Sequence, residues 1–130
     1  MSSVRNFEEM ELWQSSRELC NDIFQLAERE YYRRDWGLRQ QMLDSSGSVM
    51  DNIAEGFERN GNKEFIQFLF IAKGSLGELR SQLIRSFDRK YLTNSELVSY
   101  RDKIKNIGSK LWNFISYLKS SEMKGIKYKD

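Results

Sequence analysis

Seven apolar side chains in the last third of the chain, Leu97, Tyr100, Ile104, Ile107, Leu111, Phe114 and Leu118, recur at alternating spacings of three and four. A strand would scatter such a set over both its faces, whereas an α-helix gathers it into one stripe about six turns long. A stripe of that kind needs other helices to cover it, and three more seams supply them. Phe65, Phe68, Ala72, Ser75 and Leu79 form one, reinforced on its flank by Leu69, Leu76 and Leu83. Leu38, Met42, Ser45, Val49, Asn52 and Gly56 form another, and Leu12, Ser16, Leu19, Ile23 and Leu26, broadened by Trp13, Cys20 and Ala27, form the last. The seams break near 31–35, 60–62 and 91–94. Asn60-Gly61-Asn62 is a turn signal because Asn and Gly tolerate left-handed backbone angles. Thr93-Asn94-Ser95 offers capping side chains, with Asn94 or Ser95 expected as the N-cap of the last helix. Four helices with short connections predict an all-α fold, an antiparallel up-down-up-down four-helix bundle over 1–120. The lysine-rich remainder, 121–130, lacks a seam and is expected to be a flexible tail.

The chain of 130 residues contains no proline, so nothing of that kind interrupts long helices. Its net charge is only +2, but the charge is unevenly placed. Residues 1–79 carry 9 Lys/Arg against 14 Asp/Glu, a net of −5, and residues 80–130 carry 12 against 5, a net of +7. The basic half has two readings: a phosphate-contacting surface, or helices whose basic faces pair with acidic ones. A single cysteine, Cys20, cannot form an intramolecular disulfide and fits a reducing compartment. No apolar run approaches the roughly 20 residues that span a bilayer, and the start of the chain lacks a charged-then-apolar pattern. A cytoplasmic protein without a membrane partner is expected.

Small and polar residues stand where the seams call for large apolar ones, in NIAEG at 52–56 and GSLGELRSQL at 74–83. Asn52, Glu55 and Arg59 share a helical face. With Gln41, Ser45, Ser48 and Glu78 they are expected to form a hydrogen-bonded network, because a buried amide or carboxylate without partners is costly. The third helix is apolar nearly all round, so a second copy of the chain is the simplest cover for its outer face. Ile66, Phe70, Gly74 and Gly77 are the interface candidates, with Phe70, Gly74, Gly77 and Ser81 forming a stripe that permits close helix approach. Packing within one chain is the other explanation of that stripe.

The chemistry of catalysis is sparse. No histidine occurs, which removes His-dependent triads, most zinc sites and the Glu-x-x-His motif of di-iron bundles. Neither GxxxxGK nor GxGxxG occurs. Cys20 reads as a small core residue, and Glu55 with Glu78 as structural carboxylates. No catalytic residue, metal or cofactor is therefore expected. Tyr31, Tyr32 and Trp36 beside Arg33 and Arg34 fit either nucleic-acid contacts or aromatics that close one end of a bundle.

Four segments carry a resemblance to a known family. They are Trp36, Gly37, Leu38 and Gln41 opening the second helix, NIAEG at 52–56, FLFIAKGSLGEL at 68–79, and Tyr91-Leu92 before the last helix. In this order they resemble the four-helix bundle family named for proteins encoded in 23S rRNA intervening sequences, over about residues 7–118. The chain departs from that family's pattern at Arg33-Arg34, Met50-Asp51 and Glu58. The resemblance implies a non-enzymatic bundle that forms a ring-like homopentamer. It also implies kinship with bundles that assist reverse transcriptases of retroelements, where a basic surface engages nucleic acid and the polymerase. On this reading the partners are further copies of the chain, structured RNA or DNA, and a protein such as a reverse transcriptase. The phosphate-contacting candidates are Arg80, Arg85, Arg89, Lys90, Arg101, Lys103, Lys105 and Lys110, with Lys124, Lys127 and Lys129 in the tail. A protein-interaction scaffold that binds no nucleic acid is the alternative.

Overall fold

The computed structural model describes residues 4–123, with side chains through Ser121. After a 3-10 turn at Phe7–Glu9, the described residues form four α-helices and no strand: α1 Glu11–Leu26, α2 Trp36–Glu58, α3 Asn62–Asp88 and α4 Asn94–Met123. A second 3-10 turn, Glu30–Arg34, links α1 to α2. α4 continues past the expected boundary at residue 120, with Ser121 buried on its inner face. The tail lysines Lys124, Lys127 and Lys129 lie outside the described residues.

Each helix packs against its neighbours in sequence, and α4 closes the set against α1. The inter-helix pairs run in opposite sequence order. Glu11, Asp22 and Arg29 meet Lys110, Lys103 and Glu96, while Gln41, Ser48 and Gly56 meet Arg85, Ser75 and Phe65. Between α3 and α4, Asn62 donates to the Leu118 carbonyl, and Leu76 lies beside Gly108.

The core follows the apolar periodicity. In α1 the buried residues are Leu12, Ser16, Leu19, Ile23 and Leu26, the predicted seam in full. In α2 the buried row is Leu38, Met42, Ser45, Ser46, Val49, Ile53 and Gly56, so Ile53 takes the place predicted for Asn52, which is half-buried. A strict three-four alternation drifts from a 3.6-residue period, and this helix takes the neighbouring residue inward. In α4, Ile115 is fully buried and Phe114 half-buried beside it.

Two turns explain the helix boundaries. Gly61, with φ of 113°, makes the link from α2 to α3 in a conformation that favours glycine. α3 ends with Lys90 at φ 69°, where its N–H donates to the Phe87 carbonyl and the Tyr91 N–H to the Ser86 carbonyl. That is a Schellman end with lysine at the position glycine usually fills. The cap of α4 is Thr93 rather than Asn94 or Ser95. The Glu96 N–H donates to Thr93 Oγ1 at 3.1 Å and the Thr93 N–H to Glu96 Oε1 at 2.9 Å, a reciprocal capping box.

Candidate nucleic-acid interface

The basic residues of α3 and α4 separate by face. Lys73, Gly77 and Arg80 stand four and three apart on α3, and Arg101, Lys105, Gly108 and Trp112 follow the same spacing on α4. The two rows border an open groove of about 740 Å³ between the helices, with Leu76 and Ile104 in its lining. Gly77 and Gly108 leave its walls low. Asp102 is the one acid among the lining residues, against four cations. Lys73, Arg80, Arg101 and Lys105 all point into no ion pair among the described residues, and all four are exposed. Arg101 and Lys105 are like charges four apart, which costs a helix about 0.2–0.5 kcal/mol.

The other predicted cations lie elsewhere. Lys103 pairs with Asp22 at 2.8 Å, and Lys110 with Glu11 at 3.1 Å and Ser15 Oγ at 3.0 Å, so both tie α4 to α1. The Asp22 hydrogen bond holds the Lys103 ammonium above its usual pKa. Arg85 donates to Gln41 Oε1 across α2, and Arg89 bonds Asp35 at 2.5 Å. Burial alone would raise the Asp35 carboxyl, but hydrogen bonds from Arg89 and Tyr91 hold it below the usual range. Lys90 is exposed at the α3 terminus. Of the eight candidates, the structure brings Arg80, Arg101 and Lys105 together. The residues that the seams did not reveal are Lys73 and Trp112; their signal was the shared spacing with Arg80 and Lys105.

The predicted polar network divides in three. Asn52 Nδ2 donates to the Ser48 carbonyl at 2.8 Å and to Ser48 Oγ at 2.9 Å, and the Ser48 and Ser75 hydroxyls share a 2.8 Å hydrogen bond between α2 and α3. Glu55 and Arg59 pair by themselves at 2.8 Å on the surface, Gln41 bonds Arg85, and Glu78 is exposed and joins none of the three groups. Glu55 and Glu78 are both exposed, where water solvates a carboxylate more cheaply than a buried network does. Glu55 borders a separate depression on α2 with Asp44, Asp51 and Gly47.

Ile66 leaves the interface set, because it is a core residue at 9% exposure. The core is wide at that end, where Phe57, Phe65 and Phe114 meet edge to face, and it takes in both Phe65 and Ile66. Phe70 is 40% exposed, with the Lys119 ammonium 5.2 Å from its ring centroid, and a Cβ added to Gly74 or Gly77 would meet no atom within 4 Å. Among the described residues, Gly74 and Gly77 therefore open onto free space and not onto a closely packed helix. At the bundle end Tyr32 is fully buried, and burial pushes its phenol up to about 12, whereas Tyr31 and Trp36 are exposed. No group of three or more Cys, Asp or Glu residues among those described is arranged to hold a metal ion, and no described helix is long and apolar enough to cross a membrane.

The chain has the fold of a crystallised protein of unknown function from the S23 ribosomal protein family of Bacteroides thetaiotaomicron. The two superpose with a TM-score of 0.76 at 23% identity, over 81% of this chain and 95% of the other. No curated protein matches the sequence. The family model for 23S rRNA-intervening sequence proteins matches residues 8–113, which takes in all of α1, α2 and α3 and most of α4. The chain therefore belongs to the 23S rRNA-intervening sequence protein family.

Proposed function

We propose that this protein is a non-catalytic, antiparallel up-down-up-down bundle that assembles with copies of itself and binds structured RNA or DNA through phosphate contacts. The observation that carries the proposal is the α3/α4 groove, where four unpaired cations face one acid. Cations that neutralise phosphates release condensed counterions, and the gain does not depend on base sequence. The opposite running order of the inter-helix pairs supports the antiparallel topology. Exposed Phe70 with Gly74, both outside the groove lining, supports self-association, and the family resemblance extends this to a pentamer and to an accessory role beside a reverse transcriptase of a mobile element. A ring would repeat one modest basic groove several times, so avidity would exceed the affinity of each groove.

Fluorescence anisotropy of labelled structured RNA and duplex DNA over a salt series tests the binding, with the oligomer mass measured by light scattering on the same sample. If one groove engages four phosphates of duplex DNA, log K falls against log salt with a slope of about −3 to −4. Arg80→Glu with Arg101→Glu weakens binding to unrelated sequences alike. Absence of binding at low salt would leave the protein-scaffold reading, which the exposed apolar stripe of α3 also fits.

A further inference from the structure

We infer that the α3/α4 groove takes unpaired nucleotides, with a base stacked on Trp112 and the adjoining phosphates on the cations of the groove. The inference rests on the reading of the groove as a phosphate site and names the class of nucleic acid it selects. Trp112 is 50% exposed and lines the groove two helical turns beyond Lys105. The other two tryptophans are occupied. Trp13 meets Phe7 edge to face at 5.1 Å and Arg17 at 5.7 Å, and Trp36 carries the Arg39 guanidinium at 4.8 Å. Trp112 has no such ring or cation partner among the described residues.

An indole left half in water beside unpaired cations is the pairing that single-stranded nucleic-acid sites use, a charged track for the backbone with a ring on which a base lies. A duplex keeps its base faces stacked inside, so it offers the groove phosphates alone. An unpaired base offers a π-face of its own. The low walls at Gly77 and Gly108 keep the approach to the indole open. An acidic protein segment would satisfy the cations equally well but has no general reason to depend on an indole face.

The probes are a labelled oligouridylate, an RNA duplex of equal length and a labelled polyglutamate peptide, titrated at one fixed low salt. The oligouridylate is expected to bind more tightly than the duplex. Trp112→Ala is expected to weaken the single strand about tenfold, the scale of one stacked base, and to leave the duplex unchanged. Trp112→Phe restores most of the loss, and circular dichroism shows that each variant is folded. In a Trp13→Phe, Trp36→Phe background, quenching of the remaining indole by oligouridylate places the base directly. If Trp112→Ala alters neither nucleic acid while Arg80→Glu with Arg101→Glu weakens both, stacking is refuted and the phosphate site stands. Polyglutamate binding as tight as oligouridylate and insensitive to Trp112→Ala also refutes it. If neither nucleic acid binds at all, the phosphate reading itself fails.

Discussion

Glycines in the helices of this bundle are of two kinds, and alanine substitution separates them by sign. An ideal Cβ on Gly56 would stand 2.8 Å from Phe65 Cδ1 and 2.8 Å from Phe68 Cβ. Phe68 Cβ moves only with the backbone of α3. The Phe65 ring is held between Phe57 and Phe114, at centroid distances of 6.1 and 5.3 Å, so it has nowhere to turn. Overpacking of this kind costs about 1–3 kcal/mol. Alanine recovers at most about 1 kcal/mol of helix propensity, and less than that at Gly56, two residues from the end of α2. Gly56→Ala is therefore expected to lose about 1–2 kcal/mol, a fall in Tm of roughly 4–8 °C for a chain of this size. At Gly47 and Gly74 an added Cβ meets nothing within 4 Å, so each alanine gains up to about 1 kcal/mol. Urea unfolding followed by circular dichroism measures all three. A Gly56→Ala protein as stable as Gly47→Ala would refute the close approach of α2 and α3. Gly74→Ala carries a second consequence: if copies of the chain pack on that stripe, the protomer gains stability while the assembly loses mass. A stabilised variant of unchanged mass would remove the stripe from the interface.

Two further perturbations act where α3 passes into α4. The Arg29 hydrogen bonds, joined by the Thr93 N–H, hold the Glu96 carboxyl down to about 2 from an ordinary 4.5. A depressed carboxyl stabilises the fold fully above its unfolded value and loses that contribution as pH falls from about 4.5 to about 2. Since the Glu96 side chain is 33% exposed, solvent screening reduces the contribution to about 1 kcal/mol. Glu96→Gln is expected to lower neutral-pH stability by that amount and to flatten the acid limb in urea titrations between about pH 5 and about pH 2; an unchanged acid limb contradicts the assignment. Lys90 occupies the left-handed region at φ 69°, which costs a non-glycine residue about 1 kcal/mol. Lys90→Gly should raise the unfolding free energy by about 0.5 kcal/mol after the greater freedom of glycine in the unfolded chain is subtracted, seen as a higher urea midpoint, and a lowered midpoint would contradict the strain.

The helices were legible because their signal is local. The α1 seam is buried residue for residue, and the turn at Gly61 falls where Asn60-Gly61-Asn62 placed it. The α4 cap slipped by one because Thr, Asn and Ser in a row are all capping residues, and the choice falls to the one with a Glu three residues on. The candidate site was less legible. A seam identifies residues that face inward, whereas Lys73 and Trp112 sit on faces the seam leaves aside. Which cations are already paired depends on partners 81 and 99 residues away, at Asp22 and Glu11. No local pattern carries that information.

The basic residues of α4 divide between two sides of the helix, one paired with acids and one left without ion pairs. Lys103 and Lys110 are seven residues apart, hence on one face, and that face meets the acids of α1. Arg101 and Lys105 each lie two residues from Lys103, which turns them about 200° around the helix and toward the groove. The helical period alone thus divides α4 into a basic face used for packing and a basic face left free. Exposed pairs such as Lys103–Asp22 contribute only about 0–1 kcal/mol each, yet they neutralise charge on that side of the bundle. The groove keeps its four cations. Screening at physiological salt limits fields between exposed charges to about 8 Å, so acids on a different face, Asp44, Asp51 and Glu55 of α2, do little to cancel them. A chain with a net charge of only +2 can therefore present a locally positive surface, and the proposed phosphate contacts depend on where charges lie on the helices rather than on their total.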